Sequence, residues 1–236
     1  MKKYILLFLT AILFCINAKA QTGTAYGFKG GLTLGSQKWN NQERELLPAY
    51  HAAFTLESRD EERGVALFGD FGFHVKGSRI IFQKRTYVNQ NTNQTVTLPR
   101  RTIRQPFNNL SLVIGAKKVG QLTDFVNYYF GLGAHGDYNL SYDVFYGNNS
   151  DFFDEYVNKI TYGGSVVGGL EYLVGDNAMV FIELSFHPDI SKQINLPGGA
   201  VSYTDPYTNE QRPIGKQEVI NFPLEISVGY KFVRWN

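Results

Sequence analysis

The sequence has very little cysteine: Cys15 is the single one among 236 residues. It lies in an amino-terminal segment that we expect to be removed, so the mature chain has none. A disulfide-stabilised secreted scaffold and a thiolate-ligated metal site are therefore excluded for the mature protein. A lipidated amino terminus is not predicted either, because Leu13 and Phe14 stand where small residues precede a lipidated cysteine.

An excess of charge of one sign is also lacking. The full chain has 23 Lys and Arg against 21 Asp and Glu, and Lys2, Lys3 and Lys19 belong to the segment that we expect to be removed. The mature chain then keeps 20 basic and 21 acidic residues, a formal net charge of −1. A global attraction to nucleic acid is not predicted for such a chain.

Long apolar runs are confined to the first twenty residues. Lys2 and Lys3 precede an apolar run over 4–16, and Ala18 and Ala20 supply small residues at a cleavage site. This pattern predicts a secretory signal peptide, 1–20, cleaved after Ala20, and one mature domain, 21–236. A transmembrane anchor is the competing interpretation, but the run is shorter than the roughly 20 apolar residues of a spanning helix.

The mature chain shows alternation of apolar and polar residues instead. In the first such segment Tyr26 and Phe28 alternate with Gly27 and Lys29. Period two is typical of a β-strand with two different faces. The same alternation recurs in eight segments: 26–34, 50–57, 67–76, 109–116, 128–140, 160–172, 180–187 and 224–232. The segments are around ten residues long, and a tilted transmembrane strand needs about 9–11 residues.

The connections between these segments alternate between long and short. The long ones are 37–47, 77–105, 143–159 and 188–217, and the short ones are 59–64, 118–124 and 175–177. Long extracellular loops and short periplasmic turns are typical of bacterial barrels, which have an even number of strands. The sequence therefore predicts an all-β fold: an eight-stranded antiparallel up-and-down transmembrane β-barrel in the outer membrane, with both termini in the periplasm.

The two faces of the segments predict which side meets lipid. The apolar face carries aromatic residues near the segment ends, as the girdles of membrane barrels do. We expect Tyr26, Tyr128, Tyr172, Tyr230 and Phe232 at the periplasmic rim, and Tyr50, Tyr142, Tyr162, Phe186 and Phe222 at the outer rim. The opposite face is small and polar and carries charges. A water-soluble barrel would have the reverse arrangement.

Charged residues on the polar face are predicted to fill the lumen. An eight-stranded barrel is just wide enough for its own side chains, and charges held away from water need partners. We therefore expect a structural charge network and no open pore, and a proton or ion path is the alternative. The network members are Lys29, Asp70, His74, His135, Asp137, Glu171, Glu183, Glu225 and Lys231.

The strand sequences carry a resemblance to a known family. The first segment reads Tyr-Gly-Phe-Lys-Gly-Gly-Leu-Thr-Leu over 26–34, and the last strand contains Val-Gly-Tyr-Lys-Phe over 228–232. Together with 129–134 and 163–171, these segments resemble the PorT-like outer-membrane β-barrels of Gram-negative bacteria, and the chain is broadly similar in size to OmpX- and OmpA-type barrels. The resemblance implies a porin-like membrane fold and, through some members, an association with protein secretion. The chain departs from the usual aromatic end, so Phe232 and Trp235 both stay candidates for the terminal assembly signal.

No catalytic, metal or cofactor motif stands out. The histidines lack the H-x-x-x-H spacing of a zinc helix. His135 and Asp137 share a strand face, and with Ser141 they could form a hydrolase triad, so an outer-membrane enzyme acting on lipid or peptide is one alternative to a non-enzymatic barrel. A soluble lipocalin-like ligand-binding barrel is a second alternative, but it would require an apolar lumen.

The long loop over 77–105 is the candidate binding surface. It has no Asp or Glu, and we expect it to extend the neighbouring strands as a hairpin. Its basic residues are Arg79, Lys84, Arg85, Arg100, Arg101 and Arg104. A basic surface here fits the phosphates of lipopolysaccharide or a protein partner, whereas a solvated loop is the plain interpretation. The other expected partners are outer-membrane lipid and, during insertion, the outer-membrane assembly machinery.

Overall fold

The computed structural model describes residues 23–235, except 41–43, 61, 90–93, 144–154, 176, 201, 205–210 and 214. The predicted signal peptide, 1–20, lies outside the described residues. The strands are β1 (Gly23–Gly35), β2 (Gln37–Lys38), β3 (Glu45–Asp60), β4 (Val65–Phe82), β5 (Arg85–Asn89), β6 (Gln94–Leu98), β7 (Arg101–Thr123), β8 (Val126–Tyr142), β9 (Ile160–Leu173), β10 (Ala178–Phe186), β11 (Ile194–Leu196), β12 (Ser202–Thr204), β13 (Gln211–Pro213), β14 (Gln217–Asn221) and β15 (Leu224–Trp235). Among the described residues, no helix is long and apolar enough to span a membrane.

Eight of these strands close into a barrel. Their order is β1-β15-β10-β9-β8-β7-β4-β3, and β3 returns to β1. Every neighbour is the next barrel strand along the chain and pairs antiparallel, as in an up-and-down meander. The first and last strands form the closing seam, with Gly23 opposite Trp235 and Leu34 opposite Leu224. All eight predicted segments lie in these eight strands, apart from His187, which directly follows β10, so the predicted fold class is confirmed.

The two ends of the barrel differ in their connections. The end that we call the turn end has short links between Asp60 and Val65, Thr123 and Val126, and Leu173 and Ala178. The start of β1 and the end of β15 lie at the same end. Gly64 and Gly175 sit in two of these turns with φ of 58° and 75°, which glycine adopts without steric cost. The opposite end, which we call the loop end, carries all four long connections.

The outer surface of the barrel is an apolar belt, and the inner surface holds the charges. The contrast is visible in two adjacent residues of β1: Phe28 faces outward and is 67% exposed, whereas Lys29 faces inward and is 7% exposed. Other outward residues include Leu32, Tyr50, Phe71, Ile114, Phe130, Leu132, Ile182 and Val228. A belt of this size on a closed barrel is suited to hydrocarbon rather than water. The chain is therefore a transmembrane barrel, and the arrangement is opposite to that of a lipocalin-like one.

The pairing of β3 with β4 contains a bulge between Leu46 and His51, where β3 has one residue more than β4. One expectation about an individual face is wrong. Tyr142 was predicted in the outer aromatic girdle, but it stacks on Phe107 with ring centroids 5.8 Å apart, because the loop end folds over both rings.

Small sheets and one long hairpin lie above the barrel at its loop end. β4 and β7 stay paired as far as Phe82 and Arg101, beyond β3 and β8, and the β5–β6 hairpin continues from them. We call this extension, residues 77–105, the basic arm. A three-stranded sheet of β11, β14 and β2 covers the mouth, and β12 pairs with β13.

Candidate functional site

The lumen near the turn end holds the densest group of charges, which we call the turn-end cluster. Four strands contribute one or two members each: Glu57, Arg59, Lys117, Glu171 and Lys231. Both carboxylates contact all three cations; Glu171 lies 2.7 Å from Arg59, 3.1 Å from Lys117 and 3.0 Å from Lys231. Each side chain is at least nine-tenths buried, so the cluster is a buried ion network rather than a solvated face.

Aromatic rings from two further strands, β8 and β10, face these cations. The Lys117 ammonium lies 4.1 Å from the ring centroid of Tyr129, and the Lys231 ammonium lies 4.0 Å from that of Phe181. Tyr129 also packs with Phe68, Val113 and Val167. The lumen-facing positions of the strands therefore include bulky aromatic and aliphatic residues. The lumen is filled more completely than a face of only small and polar residues would fill it.

The middle of the lumen is spanned by a lysine that bridges two strands. Lys29 of β1 donates to Asp70 of β4 and to Glu183 of β10, both at 2.6 Å. The Tyr129 hydroxyl donates to the second oxygen of Glu183 at 2.8 Å. This arrangement ties four strands together across the barrel axis.

All four histidines of the sequence converge in the half of the lumen near the loop end. His74 Nδ1 lies 2.9 Å from Glu225, and His51 Nε2 lies 2.8 Å from the Ser227 hydroxyl. The rings of His135 and His187 meet edge to face, with centroids 5.7 Å apart. A cavity of about 30 Å³ remains between His51, His74, His187 and Glu225, which is space for about two water molecules.

Lys76 forms the last charged group before the loop end. It donates to Asp137 at 2.5 Å and to Asp189 at 2.6 Å, and His135 Nε2 lies 2.9 Å from the same oxygen of Asp189. Asp189 follows β10 in the connection to β15, so a loop residue completes a site inside the barrel. Asn221 of β14 donates to the other Asp189 oxygen at 2.6 Å and ties the loop down.

An apolar cap closes the loop end above these charges. Its buried members come from the residue after β2 and from four other segments: Trp39, Phe107, Val157, Ile194, Leu196 and Val219. The Arg44 guanidinium lies 3.7 Å above the Trp39 ring, and Trp39 Nε1 donates to Gln37 at 3.1 Å. At the turn end, by contrast, a cavity of about 330 Å³ stays open beside Arg59. The described lumen is therefore filled from Arg59 to the cap.

The structure places all nine predicted network residues inside this lumen and gives each an ion-pair partner. Five further members were not predicted for the network: Glu57, Arg59, Lys76, Lys117 and Asp189. Glu57 and Lys76 lie at the alternate positions that form the polar face of their strands in the sequence. Arg59 and Lys117 continue this face by one step, but by sequence Arg59 falls in the turn 59–64 and Lys117 falls between the segment 109–116 and the turn 118–124. Asp189 lies in a loop with no periodicity to indicate it.

The suggested histidine triad does not assemble. Ser141 accepts from Asn108 at 2.9 Å and is exposed, whereas the His135 ring contacts Asp189, Ser165 and the Gly164 carbonyl. His135 and Asp137 do share the lumen face, with 3.6 Å between Nε2 and Oδ2. Asp137 pairs with Lys76 and His135 contacts Asp189, so the geometry at this point favours ion pairing over a nucleophile and base.

The basic arm brings the predicted basic residues together in two tiers. Arg79 and Arg104 stand directly opposite each other on β4 and β7, and Arg79 pairs with Glu45 at 3.2 Å while Arg104 donates to the Pro48 carbonyl at 3.1 Å. The second tier is the junction with the hairpin, where Phe82 opposes Arg101 and Arg85 opposes Leu98. Lys84, Arg100 and Arg101 are exposed there. Like charges opposite each other on a ladder are unfavourable without counter-charges.

A comparison with protein families found no match for this chain, and neither did a comparison with curated protein sequences. Solved structures with a similar course of the chain include Neisserial surface protein A (NspA), at 10% identity, 89% coverage of this chain, 96% of that chain and a TM-score of 0.48. The attachment invasion locus protein Ail of Yersinia pestis has 9% identity, coverages of 90% and 99% and a TM-score of 0.42. The outer membrane protease OmpT from Escherichia coli has 12% identity, coverages of 90% and 97% and a TM-score of 0.44. No functional property passes from these proteins to this chain at such identities.

Proposed function

We propose that the chain is a non-conducting, non-enzymatic outer-membrane barrel that presents the basic arm to anionic groups at the cell surface, with lipopolysaccharide phosphates as the partner. The outer-membrane location is supported by the apolar belt and by the signal peptide predicted at 1–20. A place among PorT-like barrels stays part of this proposal on the strand sequences quoted above. The accessory role in secretion that this kinship implies is compatible with an arm that meets a surface partner.

The basic arm is the observation that carries the proposal. It projects beyond the barrel, contains no acidic residue of its own, and exposes Lys84, Arg100 and Arg101 at one junction. Glu45 of β3 faces Arg79, so the lower tier has a counter-charge within the chain. Guanidinium groups bind phosphate through two parallel hydrogen bonds, so an arm that carries five arginines suits a phosphorylated surface better than a neutral one.

Neutralising the junction tests this role. We expect the triple variant Lys84→Gln, Arg100→Gln and Arg101→Gln to bind lipopolysaccharide about tenfold or more weakly, because each lost charge–phosphate contact is worth about 1 kcal/mol or more. Binding is measured by calorimetry with the barrel in detergent, at two salt concentrations. The wild type loses affinity as salt rises, and the variant loses less.

A control variant removes two positive charges, against three at the junction, from the opposite end of the barrel. Arg63 and Lys118 are exposed at the turn end, and their double glutamine variant is expected to bind lipopolysaccharide as the wild type does. Dephosphorylated lipopolysaccharide is the control on the ligand side. Equal affinity of the wild type for the phosphorylated and dephosphorylated forms would exclude phosphate as the group that is bound.

Because the lumen is filled, we expect the protein to conduct no ion current across a bilayer. The wild type in a planar bilayer is expected to give no steady conductance, because buried ion pairs and the apolar cap fill the space that an ion would cross. A sixteen-stranded porin in the same bilayer is the positive control, since barrels of that size leave an aqueous channel. Large, long-lived openings by the wild type would contradict a closed lumen.

A further inference from the structure

Three adjacent strands present a row of charged side chains on the outward face of the barrel at its loop end. Glu45 of β3 lies opposite Arg79 of β4, and Arg79 lies opposite Arg104 of β7. Residues directly opposite each other in an antiparallel pair project from the same face. Along β7, buried residues alternate with more exposed ones without interruption from Ile103 to Ile114, so Arg104 projects from the same face as Ile114 of the apolar belt. The row therefore continues the lipid-facing surface, and we call it the charged row.

The Arg104 guanidinium lies at the boundary between the apolar belt and water. It donates to the Pro48 carbonyl at 3.1 Å. Pro48 stands two residues before Tyr50, which is roughly 7 Å of strand. The Tyr50 ring is 65% exposed in the belt, and its centroid lies 5.9 Å from that of Phe73. Because aromatic rings at the rim of a membrane barrel mark the level of the lipid headgroups, the guanidinium lies at the depth of lipid phosphates.

The charged row has more positive than negative charge. Arg79 pairs with Glu45 at 3.2 Å, whereas the polar partner of Arg104 within the described part of the chain is the Pro48 carbonyl. Two guanidiniums therefore share one carboxylate, which leaves a net charge of +1, and like charges opposite each other on a ladder repel. The Arg79 side chain is 36% exposed and Arg104 is exposed, so an anion outside the barrel can reach both.

We propose that Arg79 and Arg104 bind the phosphate of a lipid embedded in the outer leaflet, the acylated and phosphorylated anchor of lipopolysaccharide, with its acyl chains against Tyr50 and Phe73. The choice of lipopolysaccharide rests on the proposed function, and the charged row adds a second contact to a different part of the same molecule. A guanidinium binds phosphate through two parallel hydrogen bonds. A lipid brings the phosphate and the apolar chains to the two depths where this surface is cationic and apolar.

The test uses lipid A, the lipopolysaccharide anchor without its sugar core, and the full chain in detergent. Native mass spectrometry measures the affinity and the number of lipids bound. The wild type is expected to bind about one lipid A at this site, and the double variant Arg79→Gln and Arg104→Gln to bind it about tenfold or more weakly, because both charge–phosphate contacts are lost. Equal affinity of the wild type and the double variant would overturn the proposal.

Glu45 gives a readout that a merely structural role of the row would not move. Its carboxylate competes with the lipid phosphate for Arg79. Glu45→Gln is therefore expected to bind lipid A about twofold to fivefold more tightly than the wild type. Weaker binding by Glu45→Gln would mean that the pair with Arg79 holds the site together rather than competing with the ligand, and it would contradict the proposed contact.

Two controls separate charge and source. Arg63→Gln with Lys118→Gln removes the same number of positive charges from the turn end and is expected to bind lipid A as the wild type does. On the ligand side, deacylated lipid A keeps the phosphates and loses the chains, and it is expected to bind the wild type about tenfold or more weakly. Equal affinity for the deacylated and acylated forms would exclude a lipid as the ligand and leave a free phosphate.

The junction variant separates this site from the proposed function. Lys84→Gln with Arg100→Gln and Arg101→Gln is expected to keep the wild-type affinity for lipid A, because the junction lies farther from the membrane. If it loses as much lipid A affinity as the double variant does, the charged row is not a separate site and the inference fails. If it binds whole lipopolysaccharide as the wild type does, the proposed function fails, and the lipid A titrations still decide on the row.

A folding defect of the double variant has its own resolution. Folding is checked by the heat-dependent shift of the barrel band on a gel. If the double variant does not fold, Arg104→Gln alone repeats the titration with the Arg79–Glu45 pair intact, and it is expected to bind lipid A about threefold or more weakly. Unchanged affinity of that single variant would overturn the proposal.

Discussion

Replacing Glu171 with glutamine is expected to lower the free energy of unfolding of the barrel by about 3–5 kcal/mol. Glu171 is fully buried and contacts Arg59, Lys117 and Lys231, so the variant leaves three buried cations with Glu57 as their remaining carboxylate. The loss is large because the cations cannot regain their water while the strands stay paired. Urea unfolding in lipid vesicles, followed by tryptophan fluorescence, measures it.

Glu218 supplies the matched control. It also contacts two lysines, Lys192 at 2.6 Å and Lys216 at 2.7 Å, whose hydrogen bonds lower its pKa to about 2. It lies at the loop end in contact with solvent, so Glu218→Gln is expected to change stability little. Because the folded pKa of Glu218 is lowered, its small contribution is present above the ordinary pKa of glutamate and is lost as pH falls toward 2.

A second variant separates charge from packing in the same cluster. Adding Lys117→Met to Glu171→Gln removes one of the stranded cations, and the double variant is expected to be less destabilised than the two single losses added together. A Glu171→Gln loss under about 1 kcal/mol would mean that the cluster behaves as an exposed ion pair does.

A substitution in the closing seam between β1 and β15 is expected to have the second large effect on stability. A Cβ added to Gly27 would lie 1.9 Å from the Tyr230 carbonyl oxygen and 2.8 Å from Lys231 Cα, so β1 and β15 cannot keep their present separation. Gly27→Ala is therefore expected to destabilise the folded barrel by about 3 kcal/mol or more, at the upper end of overpacking effects. The fraction of heat-shifted, folded protein on a gel, together with urea unfolding, measures the change.

The same substitution elsewhere in the barrel is the control. A Cβ on Gly164 would meet nothing within 4 Å, so Gly164→Ala is expected to stay within about 0.5 kcal/mol of the wild type. Gly31→Ala, also in the seam and 1.9 Å from the Ile226 carbonyl oxygen, should repeat the Gly27 result. Equal stability of Gly27→Ala and Gly164→Ala would show that the seam tolerates the wider spacing.

The barrel was predictable from the sequence because its outer and inner faces differ in a strict period of two. Phe28 and Lys29 show the signal in two adjacent residues, and loop lengths supplied the strand order. The partners inside the lumen were not predictable, because Lys29 meets Glu183 only after six other strands have been placed. Asp189 and the cap residue Ile194 lie in connections whose sequences carry no periodicity, so their return to the barrel mouth needed the folded structure.

The ion pairs of the lumen also constrain how the chain enters the bilayer. Lys29 and Glu183 are 154 residues apart in the sequence, and Lys231 and Glu57 are 174 apart. Charged residues near the amino terminus therefore have partners near the carboxyl terminus, which is synthesised last. A strand inserted alone would carry an unpaired charge into hydrocarbon, at a cost of about 2.5–3.5 kcal/mol at the bilayer centre. Insertion strand by strand is therefore unfavourable, and the hairpins of this chain must cross the membrane together, with the seam closing in the same step that neutralises the interior.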